Sequence, residues 1–117
     1  MRYRDKLLHY RDIFDMQGSE TLFLYAMREI TAFHLLHNPE YARLAQRQSF
    51  RLGSLRTFND LHHIPPLPTL FLKKHTLFTV PQNRMIIKAT TSGTSGQKST
   101  VGLDLNTGLY ALEMVLR

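Results

Sequence analysis

Between Thr90 and Thr100 the chain reads Thr-Thr-Ser-Gly-Thr-Ser-Gly-Gln-Lys-Ser-Thr. Nine of these eleven residues are Thr, Ser or Gly, and that density is what makes the segment a candidate for anion chemistry. Gly93 and Gly96 let the backbone adopt unusual φ values and come close to a ligand. Successive backbone N–H groups in such a turn form an anion-binding nest. Thr91, Ser92, Thr94 and Ser95 add hydroxyl donors, and Lys98 adds a positive charge at the exit of the loop. Hydrogen bonds to a charged group contribute roughly 1.5–3 kcal/mol each, so the Thr91–Lys98 loop has the donors to hold a chain of phosphates. A ligand-free hairpin loop is the competing reading. It accounts for the glycines but not for dense hydroxyls followed by a lysine.

The P-loop of NTPases is a second comparison. It requires Gly, four residues, then Gly-Lys-Ser/Thr, and a helix directly behind. Here Gly93 and Gly96 are three apart and Gln97 separates Gly96 from Lys98. The residues that follow are strand-like. Spacing and context both exclude a P-loop.

The elements around the loop follow from hydrophobic spacing. Met85–Thr90 reads as a buried strand and Thr100–Asp104 as a second, with Val101 and Leu103 on one side. A helix starts at Asn106 or Thr107, with Leu109, Leu112 and Leu116 on one face. The chain ends within that helix with no glycine or proline stop, which suggests a fragment. Upstream, Leu7, Tyr10, Ile13 and Phe14 predict a helix over 4–16, broken by Gly18. Ser19 is the expected cap of a second helix, with Leu22, Ala26, Ile30, Phe33 and His37 on one stripe widened by Phe23 and Met27. Asn38-Pro39 signals a stop and a start. A third helix is expected from Pro39 to about Ser49, with Tyr41, Leu44 and Ala45 inward and Arg43, Arg47 and Arg51 along another face. Residues 54–63 have no clear assignment. Ile64-Pro65-Pro66-Leu67-Pro68 is extended and stiff, since proline removes donors and locks φ. Short apolar runs, Leu70–Leu72 and Leu77–Val80, flank Lys73-Lys74-His75.

The expected organisation is a helical region over 1–52, a proline-containing connector over 53–83, and a strand–loop–strand–helix over 84–117. The fold class is α/β (an α+β fragment): N-terminal helices, then a β-hairpin bearing the loop and a further helix.

Composition narrows the function classes. With 117 residues, 43% of them hydrophobic and 21% charged, the chain can build one modest domain. No run approaches the roughly 20 apolar residues of a membrane helix. No apolar run follows Met1–Lys6, so a secretory signal is not expected. The absence of cysteine excludes disulfides and thiolate metal sites and fits a cytoplasmic location. The net charge is +6, but the basic residues are scattered, so a nucleic-acid partner is not expected. His34 and His37 lie three apart without a further ligand, which is too few for a metal site; no metal ligand is assigned. His62, His63 and His75 read as structural or solvent-exposed. The proline segment reads as a connector rather than a ligand for an aromatic groove.

Thr91-Ser92-Gly93-Thr94-Ser95-Gly96 resembles the Thr-Ser-Gly-Thr-Thr-Gly signature of the adenylate-forming superfamily. The wider segment, Ile64–Pro68, Phe71-Leu72-Lys73, Lys88–Gly96 and Ser99-Thr100, is similar to the acyl-protein synthetase (LuxE) branch. The resemblance covers about residues 60–110. Ser95 stands in for the second threonine of the signature and keeps its hydroxyl. Lys98 comes one residue earlier than the lysine of the usual Gly-x-Pro-Lys ending.

The resemblance implies part of the N-terminal domain of an enzyme that activates a carboxylic or fatty acid as acyl-AMP, using ATP and magnesium, and passes the acyl group to a thiol or another acceptor. Thr91, Ser92, Gly93, Thr94, Ser95, Gly96 and Lys98 would bind the β and γ phosphates. Catalytic residues and a magnesium ligand are not assigned. The family's adenine, ribose and C-terminal lysine segments have no match here, so this stretch alone is not expected to catalyse adenylation. Two other readings stand beside it: a basic helical module for nucleic acid or a protein partner, and a degenerate homologue kept for assembly.

Overall fold

A computed structural model describes residues 2–12, 14–91, 96 and 98–116. The chain falls into two compact units, residues 1–66 and 67–117. Helix and a two-stranded antiparallel sheet make it an α+β chain.

The first unit is helical. Helix α1 spans Tyr3–Leu8, α2 Met16–His37 and α3 Pro39–Arg47, and 3₁₀ turns follow at Leu52–Ser54 and Phe58–His63. The expected single helix over 4–16 stops at Leu8, and α2 starts at Met16 rather than behind Ser19. Asp15 is the reason. Its Oδ1 accepts the Gly18 N–H at 2.8 Å and its Oδ2 accepts the Tyr10 hydroxyl at 2.7 Å, so Asp15 is the N-cap. Gly18 does not break the helix. It sits in the first turn, where a Cβ would lie 2.0 Å from Asp15 Oδ2 and 2.7 Å from the Tyr10 hydroxyl. These bonds hold the Asp15 carboxyl below its usual range, the Gly18 N–H first and the Tyr10 hydroxyl second, while the bond to Asp15 raises Tyr10.

Helix α3 follows its sequence closely. Asn38 Oδ1 accepts the Tyr41 N–H at 3.1 Å and Pro39 opens the helix. Its end closes with the Ser49 N–H on the Gln46 carbonyl at 3.0 Å and the Phe50 N–H on the Ala45 carbonyl at 2.9 Å. Ser49 carries this reversal at φ 54, a left-handed position usually given to glycine. Tyr41 and Ala45 are buried, and Arg43, Arg47 and Arg51 are exposed, as their spacing implies.

Among the described residues of this unit the core is Leu24, Ala26, Tyr41, Ala45 and Leu55, with Ala26 and Leu55 fully buried. Of the expected α2 stripe Ala26 is buried, Leu22 and Ile30 are half-buried and Phe33 and His37 are exposed, while Leu24 and Thr31 are buried off the stripe, so α2 buries more than the one face that spacing suggested. Tyr3 binds α1 to α2 through its N–H on Glu29 Oε2 at 3.1 Å and its ring 5.0 Å from Tyr25. Phe58 meets Phe23 at 5.9 Å. The Tyr41 hydroxyl donates to the Pro65 carbonyl at 3.2 Å and anchors the proline segment to α3. Asp60 accepts the Thr57 N–H at 2.8 Å and the Arg56 N–H at 3.0 Å, which gives residues 54–63 a capped 3₁₀ structure and holds its carboxyl low.

The second unit contains α4 (Thr69–Lys74), a 3₁₀ turn (Gln82–Arg84), β1 (Met85–Thr90), β2 (Thr100–Asp104) and α5 (Leu105–Val115). Leu70–Leu72, expected as a short apolar run, lies in α4. The strands pair antiparallel, Ile87 with Leu103, Ala89 with Val101 and Thr90 with Thr100, with a bulge between Met85 and Ile87. Helix α5 begins directly after β2, because Asp104 Oδ1 caps it by accepting the Thr107 N–H at 2.9 Å. The helix meets the hairpin where Gly108 passes the Ile86 side chain. The expected burial of β1 is absent: every residue after Met85 is exposed. A two-stranded sheet alone is marginal in water, and the packing of α5 at Ile86 is the support it has among the described residues.

Candidate functional site

The hairpin register brings the two ends of the candidate loop together. Beyond the Thr90–Thr100 pair, the Thr91 N–H donates to the Ser99 carbonyl at 2.9 Å. The Ser99 N–H returns the contact, donating to Thr91 Oγ1 at 3.0 Å. The two residues thus close the loop at its base with one backbone bond and one side-chain bond. Ser99 is 8% exposed, so its N–H would be left unpaired away from water without the Thr91 oxygen. Thr91 itself is exposed, and its hydroxyl keeps a proton to donate elsewhere.

Gly96 has φ +79. That left-handed conformation costs residues with a Cβ roughly 1–2 kcal/mol, and it is what the glycine at this position supplies. An added Cβ would meet nothing within 4 Å, so the requirement comes from the backbone and not from crowding. Gly96 and Lys98 are exposed. Ser92, Gly93, Thr94 and Ser95, the remaining candidate residues, lie outside the described residues.

The place of α5 bears on the chemistry. In a P-loop a helix N-terminus points at the phosphates. Here α5 starts at the far end of β2, five residues from the loop, a separation of about 13–17 Å at the rise of a strand. The N-terminus of α5 is therefore not beside this loop. On the β1 side of the hairpin, Lys88 Nζ donates to Gln82 Oε1 at 3.0 Å and is engaged there.

Among the described residues there is no group of three or more His, Asp or Glu able to hold a metal. His34 is half-buried and burial lowers its pKa. It and His37 pack on the Phe33 ring at 5.8 and 4.6 Å. His62 contacts the Asn59 carbonyl and stacks on His63 at 4.0 Å, and His75 stacks on Phe71 at 4.6 Å. No described helix is long and apolar enough to cross a membrane.

Sequence reasoning did not count Ser99 among the site residues. The available signal was its place as the first residue after the loop, opposite Thr91 in an antiparallel hairpin.

Comparison with known proteins agrees with the family resemblance seen in the sequence. The family model described as acyl-protein synthetase, LuxE, matches residues 12–113, which takes in the helical region as well as the hairpin. A long-chain-fatty-acid–luciferin-component ligase of Vibrio harveyi is 36% identical over 72 residues. That alignment covers 62% of this chain but 18% of the Vibrio protein, so the chain spans a small part of the relative's length. The chain belongs to the LuxE family of acyl-protein synthetases.

Proposed function

We propose that this chain supplies the phosphate-holding loop of an ATP-dependent ligase that activates a fatty acid. In the proposed reaction a carboxylate oxygen attacks the α-phosphorus of ATP. The bond to the β-phosphate oxygen breaks, and pyrophosphate leaves with the electron pair. The product is acyl-AMP. A thiol or another nucleophile then attacks the acyl carbon, and AMP leaves.

In this reading the loop positions the β and γ phosphates and offsets charge building on the departing pyrophosphate, a task of placement and electrostatics. Thr91 and Ser99 hold the base of the loop closed, and Gly96 turns the backbone. Ser92, Thr94 and Ser95 donate hydroxyl hydrogens, Gly93 admits the phosphate to the backbone, and Lys98 contributes charge. Magnesium, bound with the nucleotide, would neutralise phosphate charge; no residue of this chain is assigned to it. The fatty acid as substrate is drawn from the name of the Vibrio relative.

The observation that carries the proposal is the Thr91–Ser99 closure with Gly96 left-handed inside it. The test is calorimetry with ATP and magnesium on this chain and on Gly96→Val. The expected result is saturable binding with Kd of about 0.1–1 mM, lost in the variant. Equal ATP binding by both chains, or binding by neither, defeats the loop as a phosphate site. Salt-sensitive binding to duplex DNA that ignores Gly96→Val would instead support the basic-module reading.

A further inference from the structure

Arg43 and Arg47 stand one turn apart on the exposed side of α3, a spacing that sets their Cβ atoms about 5–6 Å from each other. Arg51 joins them through the turn that ends the helix. The Phe50 N–H on the Ala45 carbonyl at 2.9 Å brings the chain back, so the Arg51 Cα lies within about 8 Å of that carbonyl oxygen. All three arginines are exposed, and among the described residues none of their guanidiniums makes an ion pair or a hydrogen bond. No Asp or Glu occurs between Glu40 and Asp60. Glu40 sits in the first turn of α3, where its charge suits the N-terminal N–H groups. Asp60 accepts the Thr57 and Arg56 N–H groups. Like charges one turn apart weaken a helix. Arg47 offsets this in the last turn, near the free carbonyls, but Arg43 stands a turn too early to do so. Helix stability therefore does not account for the row.

The chemistry of the row selects its partner. A guanidinium donates two parallel hydrogen bonds to a carboxylate or a phosphate, whereas an ammonium acts as a point charge. Over residues 1–66 nine Lys and Arg stand against seven Asp and Glu, so this unit is nearly neutral apart from the row. Proteins that hold duplex nucleic acid neutralise about 6–10 phosphates, and three arginines on a nearly neutral unit match a shorter anion. We infer that Arg43, Arg47 and Arg51 form a docking site for an acidic protein segment whose Glu or Asp side chains each meet one guanidinium. The inference does not depend on nucleotide binding by the hairpin loop, so the two fail independently.

Fluorescence anisotropy of labelled octaglutamate, titrated with the full chain at low salt, tests it. The peptide binds, and binding weakens as salt is raised. Arg43→Gln, Arg47→Gln and Arg51→Gln together lower the affinity by about tenfold or more. Arg43→Lys, Arg47→Lys and Arg51→Lys together keep the charge but lose the forks, and lower it by about threefold. Lys73→Gln, Lys74→Gln and Arg84→Gln together remove as much charge from the second unit and leave the affinity unchanged. Circular dichroism of each variant shows the helical signal of the unaltered chain. Four results overturn the inference. No octaglutamate binding by the unaltered chain means that the row is a solvated surface. Equal losses in the two glutamine variants mean that net charge alone attracts the peptide. Full affinity in the lysine variant means that the guanidinium forks do not select the partner. Duplex DNA that binds more tightly than the peptide, and is lost with the three arginines, means a nucleic-acid site.

Discussion

Thr91 and Ser99 face each other across the base of the hairpin loop and exchange two hydrogen bonds, at 2.9 and 3.0 Å, one of them through the threonine side chain. The side-chain bond separates Thr91 from a generic loop threonine. Thr91→Ser should keep it. Thr91→Val keeps the shape and leaves the Ser99 N–H without an acceptor, at a cost of about 1–3 kcal/mol to the closed loop. Calorimetry should show ATP affinity weakened by about tenfold in Thr91→Val and little changed in Thr91→Ser. Equal affinities would show that loop closure does not matter for binding.

Gly96 tests backbone geometry separately from space. Since an added Cβ meets nothing within 4 Å, the penalty should follow the preference for φ +79. Gly96→Asn should retain most ATP binding, because asparagine tolerates left-handed φ. Gly96→Val should lose it. Circular dichroism should show the same helical signal in both variants.

Ser49 is a place where stability can be gained. It ends α3 at φ 54. Ser49→Gly removes about 1–2 kcal/mol of left-handed strain and adds back some unfolded-chain entropy, for a net stabilisation of roughly 0.5–1 kcal/mol. Urea unfolding should show a higher midpoint with an unchanged slope. A lower midpoint would mean that the Ser49 side chain makes a compensating contact.

The Asp15 cap predicts a pH dependence. Its carboxyl is held low by the Gly18 N–H and the Tyr10 hydroxyl. A carboxyl with a depressed folded pKa stabilises above its unfolded value, near pH 3.9, and that stability is lost as pH falls through the folded value. Asp15→Asn should therefore melt below the wild type at pH 7, and the gap should narrow below about pH 4. Asp60, lowered by the Thr57 and Arg56 N–H groups, should behave alike in Asp60→Asn. A gap that stays constant across that range would show that the charge contributes nothing to the cap.

Tyr41 reports on the anchoring of the proline segment. Tyr41→Phe leaves the Pro65 carbonyl without its 3.2 Å partner and should lower stability by about 1 kcal/mol. Thermal melts read the shift, and limited proteolysis should cut faster between Leu61 and Leu67.

Much of this chain is written in local chemistry. Asn38-Pro39 starts α3, the alternating and apolar runs mark β1 and β2, and the loop signature points to the family, because caps, strand periodicity and glycine placement act within a few residues. The limits of α1 and α2 are different. Gly18 reads as a break, and only the folded contact of Tyr10 with Asp15 makes a glycine in a first helical turn the right residue. The burial of Leu24 and Leu55, the exposure of β1 and the pairing of Thr91 with Ser99 likewise belong to the tertiary structure. Periodicity states which residues share a face, but which neighbour covers that face, and which backbone groups meet across a turn, depends on residues far apart in the chain.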